Sequence, residues 1–464
     1  MTNQNIDGHG VQRRSVLLGG AAAIAGAASL GATSQAEAAT PTAVTAKKTA
    51  TKPGKNGTGT LTVGAGKSAI GIADSLLPTS DGFTTVHDDL YVRVLLAQNG
   101  STKTAIVVLD LTSISASAIA SIRSVITDKA GVPSANIIVT VTHTFSAPHV
   151  FDTSPQAWID AILAAATSAT DDAVAGLQTA KVGYGAGTCD VNVNRNVETN
   201  AGYWLGTNES LPSDKTVGVA RFEDTDGNPI ALLVNYNVQS SVMMESTMAN
   251  GDLPITPDLA GAAMSHVEDA YDGEVVSLFI AGATGDQSPA FRTKRGVVDI
   301  DGNWSEVDAQ DDGWLLLTVQ GERLGTEIVR VSETITPSKD ATVSALTATI
   351  NLPVMANGHP DAPTTSYDFT ATDTADIPLW LLRIGEGAIA GVSPELSTST
   401  TLKVKHGSPF KHTFVASMFE GGDKNMADRW NFAHVTYEAV DGRHVPGNAE
   451  KVAKRLDHLL NKLH

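Results

Sequence analysis

The sequence predicts an α/β fold: a large mixed β-sheet core with flanking helices, built as one large domain. Three observations carry this expectation. Apolar, β-branched runs such as 136–139 and 275–281 are too short for helices and read as buried strands. Between 104 and 139 the order is strand, helix, strand, which reads as a βαβ unit with parallel strands. From residue 181 onward strands and hairpins dominate, which makes the sheet mixed.

Composition narrows the function. The chain has 464 residues, 42% of them hydrophobic, enough to bury a sizeable core. Its formal charge of −18 would be repelled by nucleic acid and by anionic membrane surfaces, so neither is expected as a main partner. The single cysteine, Cys189, excludes an intrachain disulfide and a cysteine-based zinc site. Any metal must use histidine, carboxylate or other oxygen ligands.

Taken in order, the chain opens with a targeting segment. Arg13-Arg14 precedes a short apolar Ala/Gly-rich run to Leu30, and Ala36-Glu37-Ala38 offers a cleavage site. Residues 1–38 resemble a twin-arginine-type signal, so a secreted or periplasmic protein is expected. The apolar run is too short to span ~30 Å of hydrocarbon, so no stable membrane span is expected. Removing the segment deletes two arginines and two acids, Asp7 and Glu37, and leaves the charge unchanged. Residues 39–59, rich in Thr, Ala, Lys and Gly, read as a flexible linker, and 60–464 as the folded domain.

Within that domain 61–66 reads as the first strand. Strands at 90–96 and 104–110 join at the Asn99-Gly100 turn. Ile119, Ile122, Val125 and Ile126 mark a helix over 115–130, and an Ala-rich helix covers 154–175. Strands at 181–185 and 190–196 follow, then a hairpin of 217–223 with 230–238 about Asp226-Gly227-Asn228. A helix at 257–271 precedes the buried strand 275–281. Next come a helix at 313–332, a strand at 341–352 and a polar, irregular excursion over 355–376. Strands 379–384 and 388–392 pair about Gly385-Glu386-Gly387. A strand at 414–418 and a helix over 449–463 close the chain.

Four stretches carry candidate chemistry. The strand 136–139 runs into Thr142-His143-Thr144-Phe145-Ser146 and breaks at Pro148. Reacting groups in open α/β sheets gather at the carboxyl ends of strands. His143 is therefore either a reactive group or a strand-end histidine satisfied by a backbone carbonyl. The run Gly282–Pro289 presents Asp286 and Ser288 on a glycine-rich turn. It reads as a nucleophile or orienting donor, or as a tight turn closed by an Asx hydrogen bond. Glu395 sits at the strand end Gly391–Glu395, functional or merely solvated. Arg195 can grip a carboxylate or polarise a carbonyl, or form a surface ion pair. The chain contains no Gly-x-Ser-x-Gly elbow, Walker loop, Rossmann fingerprint or His-Glu-x-x-His helix.

Together these stretches resemble the neutral (non-lysosomal) ceramidase family, in order, from Val63 to the C-terminal helix. Thr142–Pro148 is similar to that family's Thr-His-Thr-His-Ser-Gly/Ala-Pro strand end, and Asn192–Asn196 to its Ile-Asn-Arg-Ser motif. LVNYNVQSS at 233–241, Asn250-Gly251-Asp252, GDQSP at 285–289, Gly391–Glu395 and Tyr437-Glu438-Ala439 match five further motifs. The resemblance implies zinc-dependent amide hydrolysis, with the metal held by two histidines, a glutamate and a tyrosine. Carried over by position, the ligands are His143, Gln239, Glu395 and Tyr437. Ser288, Asp286, Arg195 and Tyr437 take the catalytic positions, with Asp286 holding Ser288.

Two residues depart from the pattern. Gln239 stands where the second metal histidine falls, and Phe145 replaces the second histidine of the strand-end motif. Glutamine oxygen is a weaker donor than imidazole, which leaves zinc, another divalent ion or an inactive site open. The family's C-terminal immunoglobulin-like domain is not expected after Tyr437-Glu438-Ala439. The expectation is an exported metal-dependent hydrolase of a small-molecule or lipid-like N-acyl substrate. The alternatives are a non-catalytic binding protein of the same fold and a hydrolase of esters or lactones.

Overall fold

The computed structural model describes residues 59–464; the expected signal segment and nearly all of the linker lie outside the described residues. Three principal sheets form among them. The first orders its strands Ile137–Val141, Thr102–Leu109, Tyr91–Asn99, Leu61–Ala69 and Gln178–Thr179. The second runs Val276–Ala281, Pro229–Tyr236, Thr216–Glu223, Lys181–Thr188, and the third Val343–Val354, Asp373–Ile384, Gly387–Val392, His412–Ala416. The large mixed sheet expected from the sequence is thus divided into three, each with parallel and antiparallel neighbours.

Side-chain alternation explains how they pack. In Tyr91–Asn99, Val92, Val94 and Leu96 face one way, while Leu95 and Ala97 face the other. The second set meets Ala220, Phe222, Leu233 and Ile280 of the second sheet and Ile384, Ile389 and Phe414 of the third in one shared core. The outward faces are covered by helices. Ala116–Ala130 and Gln156–Ala175 cover the first sheet, Asp258–Ala270 and Gly313–Thr334 the second, and Thr398–Gly407 with Asn448–Leu463 the third. With both faces buried, the strands read as continuous apolar runs, which is why they were legible.

The βαβ expectation holds: Thr102–Leu109 and Ile137–Val141 are parallel neighbours on either side of Ala116–Ala130. Some strands differ from the sequence reading. The strand expected at 414–418 is His412–Ala416, and the excursion expected to last to 376 gives way to strand at Asp373. All described residues fall in one compact unit. Cys189 is buried and free. Among the described residues no helix is long and apolar enough to cross a membrane.

Candidate active site

Each sheet contributes one parallel strand pair, and the carboxyl ends of these strands meet. His143 follows Ile137–Val141, Gln239 follows Pro229–Tyr236, Asp286 follows Val276–Ala281, and Glu395 follows Gly387–Val392. Arg195 enters from the strand Asn192–Thr199, and Tyr437 and Glu438 from the short helix Tyr437–Asp441.

His143 takes a left-handed backbone, φ 58°, a costly conformation for a residue with a side chain. Its Nδ1 donates to the Thr112 carbonyl at 2.9 Å, which fixes the proton on that nitrogen. The backbone-carbonyl reading of His143 describes one of its nitrogens, and the other faces the cluster. Nε2 is buried without an aligned hydrogen bond, yet lies 3.2 Å from Glu395 Oε2. Phe145 packs its ring edgewise on the imidazole at 4.5 Å between centroids, so it supplies a wall instead of a second histidine.

Glu395 is buried, and burial alone would raise its pKa. The His143 ring, the Arg195 guanidinium and the Gln239 amide outweigh that and hold it at about 2. Two electron-rich atoms at this separation suit a positive charge between them. Ligands of a tetrahedral zinc at ~2.0–2.1 Å stand roughly 3.3 Å apart, so the orphaned Nε2 and the carboxylate fit such an ion. Among the described residues no three His, Cys, Asp or Glu side chains group closely enough to hold a metal. Tyr437, the remaining member of the expected ligand set, has its ring against the Arg195 guanidinium.

Gln239, expected from the sequence as a ligand, is hydrogen-bonded at both ends of its amide. Arg195 Nη1 donates to its Oε1 at 2.7 Å, and its Nε2 donates to Glu395 Oε2 at 2.7 Å. Guanidinium can only donate and an ionised carboxylate can only accept, so the amide orientation is fixed. The oxygen that would bind a metal already accepts from Arg195.

Arg195 is anchored further. Its Nε donates to Glu438 Oε1 at 2.6 Å, and Glu438 is fully buried. Its guanidinium also lies 5.6 Å from the Tyr437 ring centroid. The surface ion pair considered for Arg195 is thus a buried one. Tyr437 packs edgewise on Trp204, and burial first, then Asp441, pushes its phenol up, so it stays a neutral donor.

Asp286 and Ser288 are not the pair expected. Ser288 is fixed in a short strand opposite Val193, and its hydroxyl reaches only the Pro289 carbonyl, at 3.4 Å. Asp286 Oδ1 instead accepts from Gln287 Nε2 and from the backbone N–H and hydroxyl of Thr398. The glycine turn is likewise spent on the fold: a Cβ at Gly282 would lie 2.3 Å from Asn237 Oδ1, which accepts from Ala283 N–H.

Burial pushes the Asp286 carboxyl up to about 6, against the hydrogen bonds from Thr398 and Gln287. An unfolded aspartate titrates near ~3.9. Its contribution to stability is therefore complete below that pH and is lost as pH rises through about 6. Asp286→Asn, whose oxygen can keep the Thr398 bonds, is expected to gain on the parent between about pH 4 and 7. Urea unfolding across that window should show a gain on the order of 2–3 kcal/mol; a difference that stays constant with pH would contradict it.

No family model and no curated protein matches this sequence. Solved structures do match. A neutral ceramidase from Pseudomonas aeruginosa aligns at 16% identity and a TM-score of 0.66, over 87% of this chain and 75% of its own. The fold is that of the neutral ceramidases. A ceramidase complexed with C2 aligns at 15% identity and a TM-score of 0.65, over 86% of this chain and 74% of its own. The ceramidase resemblance of the sequence motifs is thereby borne out at the level of fold. The ceramidase-fold chain brings Gln239, Glu395 and Arg195 into one bonded network, with His143 facing Glu395 and Tyr437 against Arg195. Sequence reasoning missed Glu438 as a counter-ion, although it lay inside the Tyr437-Glu438-Ala439 motif.

Proposed function

We propose that this chain hydrolyses the amide bond of an N-acylated, ceramide-like substrate, releasing a carboxylate and an amine. The observation that carries the reading is the facing pair His143 and Glu395, set among Arg195 and Tyr437 in a ceramidase fold. His143, Glu395 and Tyr437 would hold a divalent ion, zinc by preference. When bound, the ion would supply carbonyl polarisation or a water of lowered pKa. The neutral Tyr437 phenol donates to the oxygen that becomes anionic as water adds. Arg195, with Nε and Nη1 committed to Glu438 and Gln239, offers Nη2 to the polar end of the substrate. Ser288 orients substrate at most, because no base faces its hydroxyl. Export by the twin-arginine-type segment would place the reaction outside the cytoplasm.

The test is amine release from a panel of N-acyl amines and matching esters, with and without chelator. Chelator-sensitive amide cleavage, lost in His143→Ala, is the expected result. Full activity in metal-free protein would remove the metal from the proposal, and cleavage of esters alone would move the substrate class.

One observation favours a non-catalytic binding protein of the same fold. The Arg195, Gln239 and Glu395 chain is hydrogen-bonded within itself. Under that reading the parent cleaves nothing, and Gln239→His creates hydrolysis.

A further inference from the structure

We propose that Gln239 is a bridge and not a ligand: it holds Glu395 and Arg195 in register when no cation is bound. This deepens the metal reading above and rests on it only for the cation. The bridge itself stands on geometry. Four side chains are linked in one line, Glu438 to Arg195 at 2.6 Å, Arg195 to Gln239 at 2.7 Å, and Gln239 to Glu395 at 2.7 Å. Each is less than a tenth exposed. The line has an acid at each end and one guanidinium between them.

An imidazole at 239 could not bridge and bind a metal at once. A neutral ring has one donor and one acceptor, and the acceptor would be spent on either Arg195 or a metal. The amide presents oxygen to the guanidinium and N–H to the carboxylate together. A site with two histidine ligands needs its metal to neutralise and orient Glu395. Here Arg195 does so through Gln239, and the ligand atoms stay assembled without the ion. A cation then binds to His143, Glu395 and Tyr437 alone. Three protein ligands with an open position is the arrangement of catalytic rather than structural zinc.

The test uses the full chain with two readouts. In metal-free protein, Gln239→Ala should melt about 2–5 °C below the parent, because Glu395 and Arg195 each lose a charge-assisted bond. In cobalt(II)-loaded protein, the visible ligand-field spectrum of Gln239→Ala should superimpose on that of the parent. Gln239→His should shift the spectrum and tighten cobalt by tenfold or more, as an added nitrogen enters the coordination shell. An unchanged melting temperature overturns the bridge. A spectrum altered in Gln239→Ala shows that the amide was a ligand and overturns it too, as does a Gln239→His spectrum equal to the parent's. If the parent takes no cobalt, the metal reading fails and melting alone decides the bridge.

Discussion

Glu395→Gln is expected to lower kcat/KM for N-acyl amide hydrolysis about a thousandfold while leaving the protein folded. The side chain keeps its shape, and its amide oxygen can still accept from Gln239 Nε2, 2.7 Å away in the parent. What it loses is the negative charge facing His143 Nε2 across 3.2 Å. With no anion there, the site no longer attracts a cation between the two side chains. Steady-state rates with an N-acyl amine, beside melting curves of both proteins, separate the two effects. A variant retaining a tenth or more of the parent rate would place the chemistry elsewhere.

The second large effect concerns stability. Arg195→Met leaves Glu438, fully buried and already with one unpaired oxygen, as an uncompensated charge. Breaking a buried pair by removing one partner costs about 3–5 kcal/mol. Adding Glu438→Gln to the variant removes the stranded charge, so the double variant is expected to recover most of that stability. It should not recover hydrolysis, because the donor to substrate is still missing. Urea unfolding of parent, single and double variants measures the first statement, and turnover the second. Equal destabilisation of the single and double variants would mean that Glu438 is not the counter-ion.

How much of this the sequence showed follows from physical cause. His143, Glu395 and Asp286 were legible because apolar runs mark strands, and strand ends mark where polar side chains can gather. Arg195 was visible as a charge beside a strand, but its partner was not. Glu438 lies 243 positions away, and no local pattern announces a fully buried carboxylate. The orientation of Gln239 was hidden for the same reason: it is set by two neighbours remote in sequence. The glycines at 282 and 285 misled, because the close approach they permit is to the protein's own Asn237 and Leu396.

Elements were missed where burial was weak or the pattern polar. Lys294–Val298 and Trp304–Asp308 pair as a half-exposed hairpin without an apolar face. Thr398–Gly407 is a helix despite three threonines, serine and valine among its ten residues. Its first turn is fixed by Asp286 accepting from Thr398 at the backbone N–H and the hydroxyl, both at 2.9 Å, a tertiary contact that overrides modest propensity.

The most direct measurement is a crystal structure of zinc-soaked protein with anomalous data collected at the zinc edge. The account predicts a peak between His143 Nε2 and Glu395 Oε2, on the Tyr437 side, with Gln239 still bonded to Arg195. A fully soaked crystal with no peak there, or with Gln239 oxygen turned onto the ion, would contradict it.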